Sequence, residues 1–410
     1  MRSERLKHLV DIRVSTVDKK SFDGQMPVAL CNYTDVYYND RITAELPFMM
    51  ATATPEQVAK FTLRSGDVLI TKDSETADDI AIPAFVPADL HGVLSGYHLA
   101  VLRPRKERVD GRYVYWALST RQVRDHFSLA ASGVTRFGLR HHAIGNATLP
   151  VRPIDEQRKI ADYLDGETAE IDALIARREH QAELLQERKQ SAIENAMREP
   201  PEGCERVPLM FLTEPSRPIM YGIVLPGPHF PGGVNLIKGG DVESGRLTPD
   251  RLSKTDPAID SSHVRSRVRS GDIVYAIRGS YGAVATVPDE LTGANITQDV
   301  ARVSPRLSVN GRWLAYALSA PSATAQIGVR ATGATIKGVN IRDLKRAVIE
   351  VPARDVQDKL VDRLDHQLTL IDDVVAHTRS QIVGLHERRG ALIDAAVQGQ
   401  LDMISTRLMH

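Results

Sequence analysis

The chain repeats itself at a shift of 200 positions, and no other feature constrains its fold as much. Gly111-Arg112-Tyr113-Val114-Tyr115-Trp116-Ala117-Leu118-Ser119 returns as Gly311-Arg312-Trp313-Leu314-Ala315-Tyr316-Ala317-Leu318-Ser319. Ser132-Gly133-Val134-Thr135 returns as Thr332-Gly333-Ala334-Thr335. Between residues 151–198 and 351–398, 16 of 48 gap-free positions are identical, against about one in sixteen for unrelated chains of average composition. Earlier in each half the phase slips to 205: Leu63-Arg64-Ser65-Gly66-Asp67-Val68-Leu69-Ile70 matches Val268-Arg269-Ser270-Gly271-Asp272-Ile273-Val274-Tyr275. So long a register makes chance convergence of helical patterns untenable. The 410 residues must fold as two copies of one plan.

Each copy divides in two. Residues 1–150 and 201–350 carry short β-branched or aromatic runs at Asp67–Thr71, His98–Leu102, Asp272–Ile277, Val300–Ser304 and Ala347–Val351, punctuated by Gly, Pro, Asp and Ser. These read as strands and turns. With one helix per half at 111–127 and 311–327, the class is α+β. Residues 151–200 and 351–410 are different. Between Pro153 and Pro200 there is no proline and one glycine, Gly166. A seven-residue series runs through 164, 171, 178, 185 and 192, and its counterpart through 364, 371, 378, 385 and 392, with polar lapses at Arg178 and Thr378. Each helix would be about 60–70 Å long. A stripe of that length needs another helix to cover it, and the other copy is the obvious one. The expected arrangement is an antiparallel coiled coil joining two α+β modules; independent surface helices are the weaker alternative. Leu164, Ile171, Leu185, Ile193, Leu364, Ile371, Leu385 and Leu392 are the expected contacts of the helix pair.

Composition enters through charge. Lys+Arg and Asp+Glu are both 52, so the whole chain is neutral, which alone argues against a small basic nucleic-acid binder. By segment the balance is +2 in 1–150, −4 in 151–200, +4 in 201–350 and −2 in 351–410. The modules are mildly basic and the helices acidic. Cys31 and Cys204 are the only cysteines, which excludes a disulfide framework and a thiolate zinc site and suits a reducing cytoplasm. The N-terminus has no apolar run suited to a signal peptide. No segment has the uninterrupted apolar length of a membrane span.

Catalytic patterns are missing. There is no Walker A loop, no G-x-G-x-x-G after a strand, no H-E-x-x-H and no G-x-S-x-G. The Asn/Asp-Pro-Pro-aromatic motif of adenine methyltransferases is also absent. A loose nuclease pattern can be assembled from Pro288-Asp289 and Asp343-Leu344-Lys345, although Asp343 reads better as a turn residue before a strand. His141-His142 has no evident third ligand and reads as an exposed loop. The expected role is binding, with no catalysis and no metal or cofactor on this chain.

A tandem of two modules, each trailed by a related long helix, resembles the specificity subunit of Type I restriction–modification enzymes. The resemblance rests on Leu149-Pro150-Val151-Arg152-Pro153-Ile154-Asp155-Glu156-Gln157-Arg158-Lys159-Ile160, on Leu185-Gln186-Glu187-Arg188-Lys189, and on Ile393-Asp394-Ala395-Ala396-Val397-Gln398-Gly399-Gln400-Leu401-Asp402. It also rests on the two Arg-Ser-Gly-Asp segments. It covers essentially the whole chain. One departure is Val356, where the first copy has Glu156. The resemblance implies two target recognition domains, 1–150 and 201–350, each reading half of a gapped site in double-stranded DNA. The helix pair would set the gap and dock two methyltransferase subunits for adenine methylation. S-adenosylmethionine, ATP and Mg would be held by those subunits and by restriction subunits. The competing readings are a weak nuclease site in the second half and a scaffold with no DNA role.

Phosphate and base contacts need cations or hydrogen-bonding side chains. The loops after the Gly-Asp strands offer Thr71, Lys72 and Ser74 in the first module and Arg278, Ser280 and Tyr281 in the second. The loops before the long helices add Thr135 and Arg136, with Thr335 and Lys337. Lys238, Arg246 and Lys254 complete the set. Gly66-Asp67 and Gly271-Asp272 recur in modules that should read different sequences, so they are expected to be structural. Tyr113, Trp116, Trp313 and Tyr316 recur likewise and are expected in the core.

Overall fold

The computed structural model describes residues 2–198, 203–242, 247–279, 282–328 and 338–401. Packing divides the chain into two units, Met1–Glu179 with Ser380–His410, and His180–Arg379. Both divisions fall inside the long helices Ile154–Arg198 and Arg354–Gln398. Each unit therefore holds one module, the first part of the helix that follows it and the last part of the other copy's helix.

In the first unit, Val10–Val14, Leu99–Pro104, Val68–Thr71 and Pro83–Phe85 form a four-stranded antiparallel sheet in that order. A second sheet runs Met49–Ala53, Met26–Cys31, Leu90–Ser95 and Thr62–Leu63, its two central strands parallel. In the second unit, the sheet Met220–Tyr221, Val300–Val303, Ile273–Ala276 and Val284–Thr286 repeats the first plan. A three-stranded sheet of Ser253–Thr255, Val234–Ile237 and Asn295–Ile296 accompanies it. In both units the opening strand returns to pair with the one that precedes the long helix, Arg2–Arg5 with Thr148–Val151 and Glu205–Pro208 with Val348–Val351.

The recurring sequences explain themselves in this frame. Gly66 and Gly271 turn with φ of +93° and +78°, a region glycine occupies without a Cβ clash. Gly111 opens its helix against that turn, where a Cβ would stand 2.3 Å from the Gly66 carbonyl oxygen. Asp67 is buried and accepts from Arg103 at 2.7 and 2.6 Å and from the Arg64 amide at 2.9 Å. Asp272 accepts from Arg217 at 2.9 and 2.8 Å and from the Arg269 amide at 2.7 Å. The Gly-Asp pairs are turn and anchor, as their recurrence implied.

One helix was expected over 111–127 and another over 311–327; each is two. The breaks separate Gly111–Leu118 from Arg121–Ala130, and Gly311–Ser319 from Pro321–Gly328. In the first copy Thr120 turns its hydroxyl back onto the Ala117 carbonyl at 2.7 Å. In the second, Pro321 disfavours a helical Ala320. Each new helix start is then capped by the other copy's long helix: Asp394 accepts from the Arg121 amide at 2.9 Å, and Glu194 from the Ser322 amide at 3.0 Å. His141 and His142 are exposed but open a short helix, His141–Asn146, not a loop. Asp343 lies within the one-turn helix Ile341–Lys345, not in a turn.

The long helices run antiparallel. In the first unit Ile160, Ala161 and Leu164 share a core with Ile393, Ala396 and Val397, joined by Tyr113 and Trp116 of the module. In the second, Ile193 packs with Leu368, Ile371 and Val375. Ion pairs repeat at the 200-residue shift: Arg389 with Asp172 at 2.8 Å in the first unit, Lys189 with Asp372 at 2.6 Å in the second. Thr378 is no lapse in the seam, since it is buried with its hydroxyl donating to the Val374 carbonyl at 2.8 Å. Of the expected seam residues, Leu164, Ile171, Ile193, Leu364 and Ile371 are buried. Leu185, Leu385 and Leu392 are half-buried. Trp313 and Tyr113 are fully buried, and Trp116 and Tyr316 bond Asp165 and Asp365 of the long helices.

Candidate nucleic-acid interface

In each module the structure draws together two loops that the sequence offered separately. The Lys72 amide donates to the His98 carbonyl at 2.9 Å, and the Leu139 amide donates to the Lys72 carbonyl at 2.8 Å. In the second module the Ile277 amide donates to the Asp299 carbonyl at 2.8 Å, and the Val339 amide to the Ile277 carbonyl at 2.8 Å. Asp73–Ser74 pairs with Phe137–Gly138, and Arg278 bridges Gly338. The shared bonds fix which residues correspond. Asp73 stands where Arg278 does, His98 where Asp299 does, Tyr97 where Gln298 does, and Arg140 where Asn340 does. One backbone frame thus presents two chemistries.

The first module's frame is densely bonded. Lys72 Nζ lies 2.8 Å from Asp73 and 4.7 Å from the centre of the Tyr97 ring. His98 Nδ1 lies 2.7 Å from the same carboxylate. Burial opposes the charge on Asp73, but the bonds from Lys72 and His98 outweigh it and hold the carboxyl below its usual range. Beside them a cleft of 260 Å³ is lined by Lys19, Asn32, Tyr33, Tyr97 and His98, among others. Thr135 and Arg136 are exposed on the neighbouring hairpin. Two of the expected contact residues are buried. Thr71 is wholly buried and accepts from the Ile82 amide at 3.0 Å; Ser74 is buried and accepts from the Thr76 amide at 3.4 Å. Thr71 ends the strand Val68–Thr71, which is covered on both faces, and Ser74 pairs with Phe137.

In the second module Arg278 is exposed and lines a cleft of 550 Å³ with Tyr221, Gln298 and Asn340. Lys238 is exposed while its amide donates to Asp241 at 2.8 Å; Lys254 is half-buried and its amide donates to His229 Nδ1 at 3.2 Å. Arg246, Ser280, Tyr281, Thr335 and Lys337 lie outside the described residues. Tyr97, His98, Gln298 and Asn340 were not among the expected contacts. A signal for three of them was present: Tyr97, His98 and Gln298 immediately precede the strands that flank the Gly-Asp strand. Among the described residues no group of three or more His, Cys, Asp or Glu could hold a metal ion. Among those residues, too, no helix is long and apolar enough to cross a membrane.

No protein-family profile matches the chain. It is 25% identical over 320 residues to the Type I restriction enzyme EcoBI specificity subunit of Escherichia coli, covering 72% of this chain and 67% of that one. It is 23% identical over 368 residues to the putative Type I restriction enzyme MjaX specificity subunit of Methanocaldococcus jannaschii, covering 84% and 81%. The EcoKI specificity subunit of Escherichia coli is 21% identical over 338 residues, covering 75% and 68%. A chain from a type I R-M system, solved to explain complex assembly and conformational transition, superposes with a TM-score of 0.72. That match spans 98% of both chains at 18% identity, a likeness of fold. This chain is a homologue of the Type I restriction enzyme specificity subunits.

Proposed function

We propose that the chain is the non-catalytic, DNA-addressing subunit of a Type I restriction–modification complex, each module reading one half of a split site. The observation that carries this is the repeated loop frame with exchanged side chains. Two readers of different base sequences need a common scaffold and different donors and acceptors at its rim. Asp73 against Arg278 even exchanges the sign of charge, and His98 stands against Asp299. Lys72, Thr135, Arg136, Tyr97 and His98 form the first contact set; Lys238, Lys254, Arg278, Gln298 and Asn340 form the second. In this reading 1–150 and 201–350 are the target recognition domains, and 151–200 and 351–410 are the spacer helices.

The helices offer a second function. Leu174 and Val374 occupy corresponding positions, 38% and 44% exposed. Two equivalent apolar points on acidic helices suit the docking of two copies of one partner, a methyltransferase subunit that brings S-adenosylmethionine. Restriction subunits bring ATP and Mg. The work is done on double-stranded DNA in the cytoplasm, with no membrane involved. The nuclease reading loses its footing residue by residue. Asp289 is bonded by the Ser270 hydroxyl at the strand turn, and Asp343 and Lys345 sit in a short helix capped by Asn340.

Reconstitution tests the proposal. The purified chain alone is expected neither to methylate nor to cut DNA. With its methyltransferase partner and S-adenosylmethionine it is expected to direct adenine methylation to one two-part sequence. Modification by the chain alone, or partner methylation indifferent to this chain, contradicts it.

A further inference from the structure

At the end of the second module's sheet away from Arg278, a cleft of 400 Å³ is lined by five arginines: Arg217, Arg265, Arg267, Arg269 and Arg302. Two are neutralised. Arg217 is paired with Asp272 and Arg267 with Asp260. Arg265 and Arg269 are exposed and form no ion pair among the described residues. Arg302 is only 2% exposed, and its bonds go to backbone carbonyls, those of Arg265, Arg267 and Pro218, while its Nε has no partner. Burial and the neighbouring Arg217 push its pKa down to about 10.

The duplication shows what the fold itself needs at this place. Arg302 stands across from Val274 exactly as its counterpart Val101 stands across from Leu69 in the first module. Val101 is buried at 1% exposure. The sheet packs a valine there without difficulty, so the strand pairing itself does not call for an arginine. Arg302 adds a buried cation to a cleft that already holds more positive than negative charge.

We propose that this cleft is a receptor for a phosphate-type oxyanion, with Arg265 and Arg269 as its rim and Arg302 as its floor. Guanidinium forks match tetrahedral oxyanions in a bidentate way. Partial burial spares the interaction from screening by salt. A free phosphate ion and a backbone phosphate of DNA offer the same chemistry. The receptor does not depend on DNA reading by the Arg278 loops, which occupy the other end of the sheet.

The test uses the full-length chain and inorganic phosphate, with chloride at matched ionic strength as reference. Phosphate is expected to raise the unfolding midpoint of the wild type. In R265Q/R269Q the phosphate needed for the same rise is expected to increase by at least about tenfold. R302V is expected to lose the response; because Arg302 also bonds three backbone carbonyls, its response is read against its own melting point without phosphate. If R302V does not fold, R265Q/R269Q decides alone, because its two side chains are exposed. Equal phosphate responses in wild type and R265Q/R269Q overturn the proposal. A second arm measures binding of duplex DNA lacking the target site against salt. A slope shallower by about two in R265Q/R269Q assigns the site to DNA phosphates. An unchanged slope beside a lost phosphate response assigns it to the free ion.

Discussion

Leu164→Asp is expected to unfold the first module. Leu164 has no exposed surface and lies where three elements meet: its own helix, the end of the other long helix at Ile393 and Val397, and the module core at Tyr113 and Trp116. Truncating such a side chain to alanine costs about 2–5 kcal/mol. A carboxylate in the same place adds the loss of its hydration with no cation provided. Domains are stable by about 5–15 kcal/mol, so the sum removes most or all of that margin. The two tryptophans make the effect separable, since Trp116 belongs to the first unit and Trp313 to the second. In a W313F background, Leu164→Asp should show solvent-exposed Trp116 emission before any urea is added. Leu185→Asp, at a half-buried position, should retain buried Trp116 emission. Native emission from Leu164→Asp would remove the helix pair from the account of stability.

Asp272→Ala is expected to cost the second module about 3–5 kcal/mol, as breaking a buried pair does. Its carboxylate holds Arg217 with two bonds and the Arg269 amide with a third. Without it Arg217 is left charged beside the buried Arg302, with no anion in contact. Removing both partners should cost less than the two single losses combined, because no orphaned charge remains. A cycle of D272A, R217A and the double variant, read by urea unfolding through Trp313 in a W116F background, is expected to return a coupling of about 1–3 kcal/mol. Additive effects would mean that Asp272 acts through the turn alone.

Much of the architecture was legible because it is periodic or repeated. The seven-residue series exposed the helix pair, and the recurrence of Arg-Ser-Gly-Asp exposed the turn with its buried carboxylate. The break at 320 was signalled by Pro321, whereas the one at 119–120 carries no such local breaker. The caps on the new helix starts, Asp394 and Glu194, are remote in sequence and arrive with the other copy's helix. The candidate contact residues were only half legible. Lys72 and Arg278 sit on the loop frame; Thr71 belongs to the strand run marked at Asp67–Thr71, and Ser74 is buried by neighbours that no local pattern names. Arg302 is the reverse case, a cation inside the apolar run Val300–Val303 that local composition assigns to the core. The exchange of Asp73 for Arg278 became visible only when the shared backbone bonds aligned the two loops.

That exchange also defines the decisive measurement, the adenine methylome of cells carrying the methyltransferase partner with the wild-type chain or with Arg278→Ala/Gln298→Ala. A lost bidentate base contact costs about 1–3 kcal/mol of discrimination at one position. The expected result is a methylated motif relaxed in one half-site, with the other half and the gap length unchanged. Relaxation of both halves, or a motif identical to the wild type, would contradict the assignment of one half-site to each module.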